Sequence, residues 1–85
     1  MGVKDLADAF NQVTGPAASC SKAYLGYVQG GGVEWQILTF DGSLPDGSPF
    51  RIKSDRIRPG GDVMLAARQT AQTVAADPAK YKVTT

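Results

Sequence analysis

The sequence predicts a two-layer α+β sandwich, with two helices packed on one face of a three-stranded antiparallel meander, in the order α-β-β-β-α. Three observations carry this. Apolar residues recur at helical spacing towards each end of the chain, and three runs rich in aromatic and β-branched residues lie between them. The breaks between the runs are short and rich in Gly, Pro and Asp. Short connections favour neighbouring antiparallel strands, and both amphipathic helices need an apolar surface on which to bury their stripes.

Val3, Leu6, Phe10 and Val13 fall at intervals of three, four and three, with Lys4, Asp5, Asp8 and Asn11 off that stripe, so a helix is predicted over 3–14. Gly15 and Pro16 stop it, and 16–21 reads as a connector of small side chains. "KAYLGYVQ" (22–29) and "VEWQILTF" (33–40) read as strands, the second alternating Val33, Trp35 and Ile37 against Glu34 and Gln36. The alternation fails at Leu38 and Phe40, which implies either cover on both faces or a bulge. "FDGSLPDGSPF" holds two Asp-Gly pairs and reads as a turn, and "FRIKSDRI" (50–57) as a half-buried third strand. Asp62 is placed to cap a second helix over 63–76, whose stripe is Met64, Ala67, Ala71 and Val74 and which Asp77-Pro78 closes. The expected core is Leu6, Phe10, Trp35, Ile37, Phe50, Ile52, Met64 and Val74.

A chain of 85 residues is expected to form one domain, 1–85, with 79–85 a flexible or loosely docked tail. That length buries only about 60% of the surface exposed on unfolding, enough for one modest core. Hydrophobic residues at 42% and charged residues at 20% match a folded globular chain rather than a disordered one. The formal charge of +1 supplies no global field towards nucleic acid or an anionic membrane, so an electrostatic partner needs a local patch. No run approaches the roughly 18 apolar residues of a membrane span, and Asp5 and Asp8 interrupt any secretory-type apolar core near the start. Leu6 stands where an N-myristoylation motif wants Ser or Thr. Cys20 is the sole cysteine, so no internal disulfide forms and the reducing cytoplasm is the expected compartment.

The chain lacks the usual means of catalysis. There is no histidine to work near neutral pH, no Cys/His or Ser/His pairing, and no metal-ligand cluster, so neither an enzyme nor a cofactor is expected. Gly30, Gly31 and Gly32 join strand to strand rather than strand to helix, and lack the Lys and Ser or Thr of a phosphate loop, so they read as a hairpin turn. Gly60 and Gly61 precede a helix, but Asp62 would repel an anion there.

The α-β-β-β-α order resembles that of the double-stranded RNA-binding domain. That family reads duplex RNA with a histidine-containing first loop and a lysine cluster opening the second helix. Here the first loop is "QGGG" and the second helix opens "PGGDVMLAAR", with Asp62 where lysines would stand. The resemblance implies an architecture without that family's duplex contacts.

Two surfaces are candidates. Arg51, Lys53, Arg56 and Arg58 form a basic stretch, either a strand's solvated face guarding an edge, partly neutralised by Asp55 and Glu34, or a strip for an acidic or nucleic-acid partner. Tyr24 and Tyr27, an odd number of residues apart on one strand, point to opposite faces, so at least one is expected outside the core. The expected function is a non-enzymatic protein-interaction module acting through its sheet face or edge strand, with another protein or a second copy as partner and no membrane. The alternative is a weak nucleic-acid binder using the Arg51 to Arg58 strip.

Overall fold

The computed structural model describes residues 2–83. It consists of α1 (Val3–Thr14), a 3-10 turn at Gly15–Ala17, β1 (Ser19–Gly30), β2 (Val33–Ser43), β3 (Pro49–Lys53), α2 (Val63–Ala76) and a second 3-10 turn at Pro78–Tyr81. The strands form one antiparallel sheet in the order β1-β2-β3, and both helices pack on the same face of it. None of the described helices is long and apolar enough to cross a membrane.

The helices form where the stripes and caps predict. The Gly2 amide donates to the Asp5 carboxylate at 3.0 Å, and Gly15 ends α1 with a positive φ of 55°. Asp62 Oδ1 accepts from the Leu65 amide at 3.0 Å, so the first turn of α2 is capped by the chain itself and is not open to an anion. Leu6 and Phe10 from α1 meet Ala67, Ala71 and Val74 from α2, whose small side chains let the two helices lie close together. Phe10 is the centre of this layer, stacking on Phe40 at 4.5 Å and on Phe50 at 6.0 Å between ring centroids.

The strands differ from the expectation in four ways. β3, expected over 50–57, ends at Lys53: Ser54 turns in to bond Leu38, and beyond it only Ile57 pairs again, as an isolated bridge to Gln36. β1 starts at Ser19, inside the expected connector, because the Asn11 side chain pairs with the Cys20 backbone and a bulge at Ser21 absorbs the break in alternation. β2 runs through Asp41-Gly42-Ser43, and only the second Asp-Gly pair turns, with Gly47 at φ 84° and the Leu44 amide bonded to the Ser48 carbonyl. The face assignment of β2 also needs correction. Leu38 and Phe40 are buried under the helices, while Trp35 and Ile37, expected in the core, are half-buried on the opposite face. No bulge intervenes, for the register runs unbroken from Ala23↔Phe40 to Gly30↔Val33. Apolar residues line both faces of β2, and the position of the helices decides which set becomes core. Met64 is likewise half-buried at the core margin.

Gly31 and Gly32, at φ 59° and 77°, make the two-residue turn joining β1 to β2. In the tail, Lys82 bridges Phe50 and the Val83 amide donates to the Pro49 carbonyl at 3.0 Å; residues 84 and 85 lie outside the described residues. Asp46 links this end to the turn, accepting from the Ser48 amide at 2.9 Å and lying 3.2 Å from Lys82 Nζ. The Ser48 bonds, and then Lys82, pull the Asp46 carboxyl well below its ordinary range, to about 2. A carboxylate more acidic in the folded state stabilises above its unfolded pKa, and loses that contribution as pH falls through its folded pKa. D46N is therefore expected to melt below wild type at pH 6, with the gap closing between pH 4 and about 2, in thermal melts across that range.

Candidate interaction surface

The backbone pattern shows which edge of the sheet is open. Leu38 donates to Ser54 Oγ and accepts from the Ser54 amide, and Gln36 exchanges both bonds with Ile57, so these positions of β2 direct their backbone towards the β3 side. Alternation in an antiparallel ladder then directs Val33, Trp35, Ile37, Thr39 and Asp41 towards β1, opposite Gly30, Val28, Gly26, Tyr24 and Lys22. The intervening Ala23, Leu25, Tyr27 and Gln29 turn their N–H and C=O groups outwards, where none has a partner among the described residues. Cys20 also faces outwards, but the Asn11 amide accepts from its N–H at 2.7 Å and donates to its carbonyl at 3.0 Å. Asn11 thus closes one end of the edge and leaves the rest open.

The two edges are defended unequally. On the outer side of β3, Pro49 has no N–H to offer, residues 82 and 83 bridge its start, and Arg51 and Lys53 supply charge. β1 has Lys22 as its one charged residue and contains no proline. Its side chains are exposed apolar ones, with Tyr24 at 45%, Leu25 at 37% and Tyr27 at 58% exposure. Tyr24 and Tyr27 are both exposed and on opposite faces, so they do not form one patch.

The face away from the helices gathers the basic residues. Lys22, Asp41 and Arg51 share one row, and Tyr24, Thr39 and Lys53 the next. Ile57 pairs with Gln36 on the helix side, which brings Arg56 and Arg58 to the open side. Arg58 Cζ lies 5.9 Å from the centroid of the Trp35 ring, and Trp35 Nε1 donates to the Gly30 carbonyl at 3.1 Å. The Arg56 guanidinium occupies the space a side chain at Gly30 would fill, 2.8 Å from an ideal Cβ.

These four cations are not equivalent. Arg51 is committed to Asp41 by paired bonds of 2.6 and 3.0 Å, and that carboxylate raises the guanidinium pKa further. Lys53, Arg56 and Arg58 have no carboxylate within 4.0 Å among the described residues. Glu34, expected to neutralise part of the strip, stands on the opposite face, where it accepts from Gln29 at 3.0 Å. Asp41 takes that part instead. Trp35, Ile37 and Lys22 belong to this surface and are not among the expected site residues; the odd-numbered alternation of Trp35 and Ile37 against Glu34 marks the first two as one face without saying which face the helices cover.

Elsewhere there is little chemistry. The buried Cys20 thiol has its pKa raised by desolvation and donates to the Lys22 carbonyl at 3.2 Å, so it is held protonated as a core filler. Among the described residues, no three His, Cys, Asp or Glu side chains are placed to hold a metal ion. Compared with known proteins, the chain matches no family model, and no curated protein or solved structure matches it significantly.

Proposed function

We propose that this chain is a small non-enzymatic protein-interaction module that works by strand addition at β1, with a second copy of itself as the partner that fits. The observation that supports this is the outward-facing, unpartnered backbone of Ala23, Leu25, Tyr27 and Gln29 on an edge with almost no guard. A strand laid along it would gain main-chain bonds without displacing any existing contact. The reading places the module in a reducing compartment, the cytoplasm, since Cys20 has no second cysteine to pair with.

The edge is complementary to itself. Two antiparallel copies of β1 related by a two-fold axis through Gly26 would set Leu25 against the partner's Tyr27 and Ala23 against the partner's Gln29. All of these are residues whose backbone groups face outwards, as a hydrogen-bonded pair requires. Lys22 would meet the partner's Gly30, which avoids a like-charge clash, and Gly26 at the axis tolerates the closest approach of two backbones. The near-zero net charge opposes association little.

Sedimentation velocity across a concentration series tests this. Wild type is expected to form a reversible dimer. L25K/Y27K places like charges across both apolar pairs and should weaken association by about tenfold or more. L25K/Y27E places opposite charges across the same pairs and should recover association. Both sites are exposed, so both variants should keep the fold. A wild-type monomer at every attainable concentration removes the self-pairing, and a failure of the charge-swapped variant to recover removes this register.

A further inference from the structure

We propose that the uncovered sheet face is a second, separate site, and that it takes single-stranded nucleic acid. Lys53, Arg56 and Arg58 would hold the phosphates and Tyr24 would serve as the stacking surface. Charge is the first support. A chain of net charge +1 concentrates Lys22, Arg51, Lys53, Arg56 and Arg58 on one face. Asp41 on that face is already spent on Arg51, and Asp55, in the irregular segment between β3 and Ile57, is the next carboxylate along the chain. The surplus is local and positive, which suits a polyanion.

The second support is where two of the guanidinium groups lie. Arg58 rests over Trp35, whose indole is fixed by its bond to the Gly30 carbonyl, and Arg56 fits where Gly30 has no side chain. A guanidinium resting on a ring, as that of Arg58 does, loses less freedom on binding an oxyanion than a free one. Tyr24 stands in the Lys53 row, 45% exposed, with its ring beside the strip. An exposed aromatic ring next to backbone-binding cations meets unstacked bases, which a duplex keeps covered.

Duplex is disfavoured by shape as well. The face is a sheet of three strands, about 10 Å across, with no helix projecting from it to enter a groove. The β1–β2 hairpin turns on Gly31 and Gly32, which carry no side chain to read a groove.

Trp35 is the only tryptophan and lies within the site, so its fluorescence reports binding directly. The titrants are an oligothymidylate, a duplex of the same length and inorganic polyphosphate, each over a series of salt concentrations. The oligothymidylate is expected to quench Trp35, with log K falling linearly with log salt at about −0.7 per phosphate neutralised. R56E/R58E should abolish binding, and Tyr24→Ala should weaken it by about tenfold. Tighter binding to the duplex, equal binding to polyphosphate, no effect of Tyr24→Ala, or no quenching at low salt each overturns the proposal. Repeating the titration at protein concentrations below those at which sedimentation shows association keeps it independent of the β1 edge. Amide spectra of each variant confirm that the fold is retained.

Discussion

Phe10→Ala is expected to lower the unfolding free energy by about 3–5 kcal/mol, because it removes the ring that α1 inserts between Phe40 and Phe50. Domains of this size have a stability of roughly 4–13 kcal/mol in total, so a large share of it rests on one side chain. The neighbours cannot close over the gap. Phe10, Phe40 and Phe50 are all essentially inaccessible, and two of the three come from a sheet whose spacing is fixed by its ladder. Urea denaturation followed by far-UV circular dichroism measures the loss, with Leu65→Ala, an exposed position on α2, as a control expected to change stability by no more than about 0.5 kcal/mol.

Gly42→Ala is expected to be comparably damaging for the opposite reason. A Cβ at Gly42 would lie 1.8 Å from the Ser19 carbonyl oxygen and 2.8 Å from the Cys20 Cα, so backbone rather than a flexible side chain must move. Opening the start of β1 would strain the Asn11 clasp on Cys20 and the Thr14 hydroxyl bond to the Ala18 carbonyl, which together set how α1 enters the sheet. A loss of about 3 kcal/mol is expected, at the upper end for an added methyl group that a core cannot absorb. Gly31→Ala meets no atom within 4 Å and is strained only by its φ of 59°, so it should cost about 1–2 kcal/mol. The same denaturation series separates the two, and faster amide exchange at Cys20 in Gly42→Ala would locate the damage.

The helices were legible because their information is local. The stripe, the Asp62 cap and the Asp77-Pro78 stop place α2 at Val63–Ala76 as predicted. The β2 faces were not legible, because Trp35 and Ile37 on one side and Leu38 and Phe40 on the other are equally apolar, and nothing in the strand records where α1 and α2 will lie. Gly42 misled for a related reason. In sequence it completes an Asp-Gly turn, but in the fold its missing side chain makes room for the carbonyl of a residue on another strand. The basic stretch was visible as a linear run. That Arg51 is spent on Asp41 while Arg56 and Arg58 gather around Trp35 follows only from cross-strand register and from the isolated bridge at Ile57. The open backbone groups of β1 depend on that same register, since a slip of one residue would turn inwards the N–H and C=O groups that now face out.

The unequal edges of the sheet set the valence of the particle. A sheet open on both sides can recruit neighbours without limit, and such growth gives filaments. Here residues 82 and 83, together with Pro49, occupy the start of the β3 side, so growth by the proposed strand addition would have one free bond to make. A unit with one bond stops at two. Under the proposed strand addition, the short tail segment is what would terminate the assembly, stoppering the edge opposite the unguarded β1.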